Sequence, residues 1–136
     1  MKKLVEDYVL EEEIGSGSFG KVFKGFNIKT NDVVAVKAIS KKILKKKPRL
    51  ESLIQNEMEV LKLVNNNDNI IKYFKSFKTS NNFYMVYEFC NGGTLNDLIK
   101  KKGFLTEREA LHVLEQLLVA FKEMNNHEIL HRDLKP

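Results

Sequence analysis

The amino-acid sequence predicts an α+β fold in two parts, a sheet-rich segment over residues 1–90 and a helical segment over residues 91–136. Three observations carry that expectation. Five short runs of β-branched and aromatic residues, split by Gly- and Asn-containing turns, fall in the first ninety residues. One apolar stripe at helical spacing interrupts them, and the pattern after Asn91-Gly92-Gly93 is helical throughout.

The first three strands are predicted at Tyr8 to Ile14, Lys21 to Phe26 and Val33 to Ser40, in the manner of a meander. Ile70 to Phe77 and Phe83 to Phe89 repeat the pattern around Ser80-Asn81-Asn82. Five strands in succession imply an antiparallel sheet. Between the third and fourth, Leu50, Leu53, Ile54, Leu61 and Val64 recur at helical spacing, with Pro48 near the helix start. Glu57 follows Ile54 by three residues and precedes Leu61 by four, so it projects from the apolar stripe, whereas Glu59 is turned about 200° away. An inward carboxylate needs a cation. A further helix begins near Thr94. A longer one follows the capping box Thr106-Glu107-Arg108-Glu109 and aligns Ala110, Leu111, Leu114, Leu117, Leu118, Phe121 and Met124 as its buried stripe. Asn91-Gly92-Gly93 reads as a hinge between two lobes.

Composition excludes several classes. With 136 residues, 43% hydrophobic and 30% charged, the chain is sized for a domain core rather than for disorder. The formal net charge of +5 owes much to Lys41, Lys42, Lys45, Lys46 and Lys47. No aromatics interleave these lysines, so the run reads as a solvated loop between strand and helix, or as a docking surface for an acidic regulatory partner, rather than as a nucleic-acid site. Cys90 is the single cysteine, which rules out an internal disulfide and fits a reducing compartment, the cytosol first and the nucleus second. Neither a signal peptide nor a stretch of ~20 apolar residues is present, and position 2 is Lys2 rather than the glycine that myristoylation requires, so no membrane partner is expected.

Ile14-Gly15-Ser16-Gly17-Ser18-Phe19-Gly20 matches G-x-G-x-x-G, a pattern shared by several nucleotide sites and by simple turns. The following residues decide among them. A dinucleotide fingerprint opens a helix, yet Lys21-Val22-Phe23-Lys24-Gly25-Phe26 is strand-like, so these glycines cap a hairpin. A Walker loop would need a hydroxyl after its lysine, and Val22 has none. A hairpin without Cβ atoms at three positions lets backbone N–H groups approach anionic phosphate oxygens, and Phe19 at its tip would shield them from water.

Val34-Ala35-Val36-Lys37 places a lysine in an apolar strand, where Ala35, Lys37 and Ile39 share one face and Val34, Val36 and Ala38 the other. Such a lysine either snorkels to solvent or is compensated. Glu57 on the neighbouring helix supplies the compensation, and the two are expected to form a buried pair.

These elements, together with His131-Arg132-Asp133 near the end of the chain, resemble in order and nearly over the full length the first part of a protein kinase catalytic domain. The resemblance implies a five-stranded lobe with one helix, followed by the first helices of a second lobe. It implies ATP as phosphoryl donor, with Val22 and Ala35 above the adenine, Leu95 below it, Tyr87 as gatekeeper, and Glu88, Phe89 and Cys90 as the hinge. Leu61, Tyr73 and His131 resemble three members of a hydrophobic column joining the lobes. Asp133 corresponds to the base that accepts the proton of the substrate hydroxyl, and Lys135 to the cation facing the transferring phosphoryl group. Lysine at that position resembles the serine/threonine branch, so a protein Ser or Thr is the expected acceptor. Thr94 departs from the acidic residue common near the ribose, with Asp97 one turn later as substitute.

In that family the magnesium ligands are an Asn and an Asp-Phe-Gly segment further along the sequence than Pro136. These 136 residues alone are therefore expected to bind nucleotide weakly, to have negligible transfer activity, and to leave the apolar face of the last helix open. The competing reading is a short, catalytically dead binding or regulatory module. The joint presence of Lys37, Glu57 and Asp133 favours the enzyme, since a chain that only bound partners has no chemical need of all three.

Overall fold

The computed structural model describes residues 2–17 and 20–135. It holds six strands, β1 (Lys3–Val5), β2 (Tyr8–Gly17), β3 (Gly20–Asn27), β4 (Val33–Ser40), β5 (Tyr73–Lys78) and β6 (Asn82–Glu88), and four helices, α1 (Lys41–Lys46), α2 (Pro48–Leu63), α3 (Leu95–Lys102) and α4 (Glu107–Asn126). All strands lie in one antiparallel sheet of order β1-β2-β3-β4-β6-β5. The expected five strands are present, and β1 adds a sixth. Leu4 is exposed on that short edge strand and only Val5 is buried, so its sequence carries almost no alternation to read.

Alternation divides the core between the two faces of the sheet. One face gathers Ala35, Ile39, Tyr73, Phe83, Met85 and Tyr87 with Leu50, Ile54 and Met58 of α2. The other gathers Val5, Tyr8, Leu10, Val34, Val36, Tyr84 and Val86. The strand lysine therefore lies on the side that α2 covers. Register shifts at Leu10/Glu12 and Glu13/Gly15 insert extra residues into β2, and such irregularities bend and twist a strand where the β2–β3 hairpin projects.

Helix α2 begins with Pro48 in its first turn, where the missing N–H costs nothing, and runs over the residues expected of it. Its buried line is Leu50, Ile54 and Met58, with Leu61 half-buried and Val64 buried at the C-cap. Leu53 is 60% exposed rather than in the stripe, because it lies about 60° back from Leu50 on the helical wheel, away from Ile54 and Met58.

The lysine run is not a loop. Lys41–Lys46 form α1, capped by Ser40, whose side chain accepts the Lys42 N–H at 3.3 Å. Ile43 and Leu44 pack against the α2-side cluster, and that contact outweighs the weak helical pattern of a six-residue segment.

Past β6 the chain turns at Gly93, whose φ of +76° is a conformation glycine adopts without penalty. Helices α3 and α4 each open on a complete capping box, Thr94 with Asp97 and Thr106 with Glu109. The expected stripe of α4 is not buried: Leu111, Leu114 and Leu118 are about half exposed, Ala110 is exposed, and Ala120 alone is buried. Leu117, Phe121 and Met124 are half-buried. Neither helix is covered by another layer, so an amphipathic face alone buries little. Among the described residues no helix is long and apolar enough to cross a membrane.

Candidate active site

Strand pairing sets the geometry around Lys37. The β3–β4 ladder puts Val22 opposite Lys37, and the β4–β6 ladder puts Met85 opposite Lys37 and Tyr87 opposite Ala35. Lys37 Nζ donates to both carboxylate oxygens of Glu57, at 2.9 and 3.0 Å. The expected pair is made, but it is not buried: the side chains retain 28% and 40% of their exposure. Glu57 emerges at the rim of α2 rather than beneath it, so solvent reaches its carboxylate. A pair so placed contributes about 1–2 kcal/mol rather than the larger loss that follows breaking a fully buried one.

A third partner, absent from the sequence reading, completes the cluster. Tyr87 Oη donates to Glu57 Oε1 at 3.0 Å. Burial, followed by the Glu57 charge, pushes the Tyr87 phenol well above its ordinary pKa, so the hydroxyl stays protonated and remains a donor. The signal was available: Phe83, Met85 and Tyr87 alternate onto the face that carries Ala35, Lys37 and Ile39.

The glycine hairpin closes through the Gly17–Gly20 pair, with Gly15 opposite Val22. Ile14, Gly15, Ser16 and Gly17 are exposed and Gly20 is partly covered, so the arm stands away from the core. Ser18 and Phe19, assigned to its tip, lie outside the described residues, as does Pro136. A Cβ at Gly17 would meet nothing within 4 Å, which leaves open space for a ligand's approach to that backbone. Lys21 and Glu13 clasp the two arms at 2.7 Å.

Val22, Ala35 and Phe89 belong to the same apolar cluster as Tyr87. Lys24 Nζ lies 5.0 Å from the Phe89 ring centroid, a cation–π contact just past the end of β6. The Glu88 carboxylate is turned toward β5, where its Oε1 accepts the Lys72 N–H at 2.6 Å. Cys90 is exposed, with its thiol pKa raised by partial burial and then by the Glu88 charge. Leu95 is half-buried on α3. Thr94 caps that helix: Asp97 Oδ2 accepts both the Thr94 N–H, at 2.9 Å, and its hydroxyl, at 2.7 Å, and these bonds lower the Asp97 pKa.

Leu61 and Tyr73 come together in the α2-side cluster, whereas His131 is exposed. Arg132 has a left-handed φ of 64°, which turns the chain so that the Asp133 N–H donates to His131 Nδ1 at 3.3 Å. Lys135 Nζ donates to Asp133 Oδ2 at 3.3 Å, and both side chains are exposed. Among the described residues no hydrogen bond or ion pair joins residues 91–135 to residues 2–90. The Lys37–Glu57–Tyr87 cluster is thus assembled, while among the described residues the hydrogen bonds of Asp133 and Lys135 run to each other and to His131.

These donors fit a nucleotide's polyphosphate: an ammonium held on the sheet and a glycine hairpin with room beside its backbone. Among the described residues no group of three His, Cys, Asp or Glu side chains is placed to hold an ion. The Asn and Asp-Phe-Gly segment that the resemblance assigns to magnesium are not among these residues.

A curled antiparallel sheet with one helix against it, a glycine hairpin and a strand-lysine–helix-glutamate pair define a protein kinase N-terminal lobe, and residues 8–136 match the protein kinase domain family. The chain belongs to that family. It is 35% identical over 138 residues to the serine/threonine-protein kinase atg1 of Dictyostelium discoideum, covering 98% of this chain and 20% of the relative. It is 34% identical over 134 residues to the serine/threonine-protein kinase ATG1a of Arabidopsis thaliana, covering 98% and 21%. With the SNF1-like protein kinase ssp2 of Schizosaccharomyces pombe the identity is 37% over 135 residues, covering 99% and 23%. The chain spans between a fifth and a quarter of the length of these relatives.

Proposed function

We propose that this chain is the ATP-binding part of a serine/threonine protein kinase, holding the polyphosphate between the Gly15–Gly20 hairpin and Lys37 and the adenine against Val22 and Ala35. The observation that carries this reading is the bidentate approach of Lys37 Nζ to Glu57, at 2.9 and 3.0 Å, on the sheet face to which Val22 and Ala35 also contribute. The glutamate holds the ammonium at a fixed place, so a phosphate binds a cation already positioned. ATP supplies the activated phosphoryl group. Asp133 accepts the proton of a Ser or Thr hydroxyl as that oxygen becomes nucleophilic, and Lys135 faces the charge developing on the transferring group. The serine/threonine assignment rests on Lys135 and on the kinds of relative the chain matches. A cytosolic or nuclear setting and a protein substrate follow from the same reading. In this reading the 136 residues alone bind nucleotide without appreciable transfer, because the Asn and Asp-Phe-Gly that hold magnesium in the family are not among them.

Two measurements test it. ATP titrated into the 136-residue chain should bind, and Lys37→Met should weaken that binding about tenfold or more, the loss of one charge-assisted contact. A polypeptide carrying the whole kinase domain should transfer labelled phosphate to Ser or Thr of a generic protein, with Lys37→Met and Asp133→Asn both strongly impaired. Equal transfer by wild type and both variants would refute the assigned roles.

A further inference from the structure

Glu57 is held from two strands at once. Its Oε1 receives both the Lys37 ammonium, at 2.9 Å, from β4 and the Tyr87 hydroxyl, at 3.0 Å, from β6. We propose that the Tyr87 hydroxyl is a second latch on Glu57, holding the inward face of α2 in place together with the Lys37 ammonium that a nucleotide phosphate shares. The proposal rests on the reading of Lys37 as a phosphate contact, and its test separates the two.

The two latches differ in stiffness. Lys37 reaches Glu57 through four rotatable bonds, and its two hydrogen bonds go to that one carboxylate. A phosphate that reaches the ammonium therefore shares it with Glu57, and the pair alone holds α2 less firmly. Tyr87 is 7% exposed, on a strand paired on both sides, with its ring edge-on to Tyr73 at 5.9 Å. Few torsions remain to carry its hydroxyl away, and little entropy is lost in holding the bond. Among the described residues the other polar contact of that hydroxyl is Met85 Sδ at 3.4 Å, a weak acceptor, so Glu57 is its strong partner. Glu57 in turn lies at the edge of the α2 face that buries Leu50, Ile54 and Met58, so holding its carboxylate biases the rotation of the helix about its axis.

Tyr87 is thus a positioning residue: it acts on the nucleotide through Glu57 and Lys37. Tyr87→Phe keeps the ring and its contact with Tyr73 and removes only the hydroxyl. Hydrogen exchange of the α2 amides would be measured on the full chain for wild type, Lys37→Met, Tyr87→Phe, the double variant and Glu57→Ala, each relative to the β6 amides of the same protein so that any general loss of stability cancels. Each single variant should raise α2 exchange less than about threefold. The double variant should raise it about tenfold, to the Glu57→Ala level, as befits loss of the last charge-assisted bond. Lys37→Met alone reaching the Glu57→Ala level would overturn the proposal, as would a double variant that exchanges like wild type. Undiminished ATP affinity in Lys37→Met, alongside the expected exchange pattern, would remove the phosphate contact and leave the latch standing.

Discussion

The hairpin glycines separate into two kinds, and Gly20→Ala against Gly17→Ala tests the distinction. A Cβ built on Gly20 overlaps the Ala38 carbonyl oxygen and lies 3.1 Å from its carbon and 3.2 Å from Ile39 Cγ1. Two of those atoms are backbone in the neighbouring strand, and the third belongs to a fully buried residue, so none can rotate aside. Relief requires β3 to part from β4 near the Lys21–Ala38 pair. Overpacking of that kind costs about 1–3 kcal/mol, and a loosened ladder bond adds about 1 kcal/mol, which gives about 2–4 kcal/mol in all. A Cβ on Gly17 meets nothing within 4 Å, and its φ is not left-handed, so Gly17→Ala should leave stability within about 0.5 kcal/mol of wild type or slightly improve it. What Gly17→Ala should disturb is the approach of phosphate to the hairpin backbone. Urea unfolding followed by circular dichroism, with ATP titration on the same proteins, reads both effects. If Gly20→Ala unfolds at the wild-type midpoint, the close approach of β3 and β4 at this point is wrong, and with it the claim that the third motif glycine serves the sheet rather than the ligand.

Three further outcomes are expected. Met85→Ala removes a fully buried side chain from the face that carries Lys37 and should cost about 2–5 kcal/mol in urea unfolding, with ATP affinity falling as the lobe loosens. Ile54→Ala should cost about 2–4 kcal/mol while Leu53→Ala costs under about 1 kcal/mol, since the first is 5% exposed and the second 60%. The Glu109 carboxyl is held down to about 2, first by Lys102 and then by the Thr106 hydrogen bonds. Its folded pKa lies below the unfolded one, so its contribution to capping α4 is complete above about pH 4.5 and is lost as pH falls toward 2. Helicity followed by circular dichroism should decline over that window, and Glu109→Gln should flatten the acid limb.

Where one physical preference dominated, the structure was legible in the sequence. Strands β2 to β6 followed from alternation and turn residues, and α2 from its stripe. Glu57 was identified because a carboxylate on an apolar stripe needs a cation, and Lys37 because a lysine in Val34-Ala35-Val36-Lys37 either snorkels or is compensated, and Glu57 offers the compensation. What escaped depended on tertiary contact. Helix α1 owes its order to Ile43 and Leu44 packing under the sheet, which six lysine-rich residues do not announce. The degree of burial of the Lys37–Glu57 pair depends on how far Glu57 stands from the rim of α2, a matter of side-chain reach rather than of periodicity. The apolar stripe of α4 stays open, as expected of these residues alone, because amphipathicity states what a helix can bury and only a neighbouring layer buries it.

The half-exposure of the central pair bears on what holds α2 in place. Burying Leu50, Ile54 and Met58 contributes up to about 1.5–3 kcal/mol each, whereas the bonds to Glu57 contribute about 1–2 kcal/mol apiece and are weakened by solvent on one side. Packing therefore decides whether α2 rests on the sheet, and the polar cluster decides which way it is turned. A small rotation moves Glu57 relative to Lys37 while the apolar contacts merely readjust. The orientation of the ammonium is thus set by weak, reversible bonds mounted on a docked helix, and a second donor on a rigid strand, Tyr87, biases that rotation without adding greatly to the stability of the lobe.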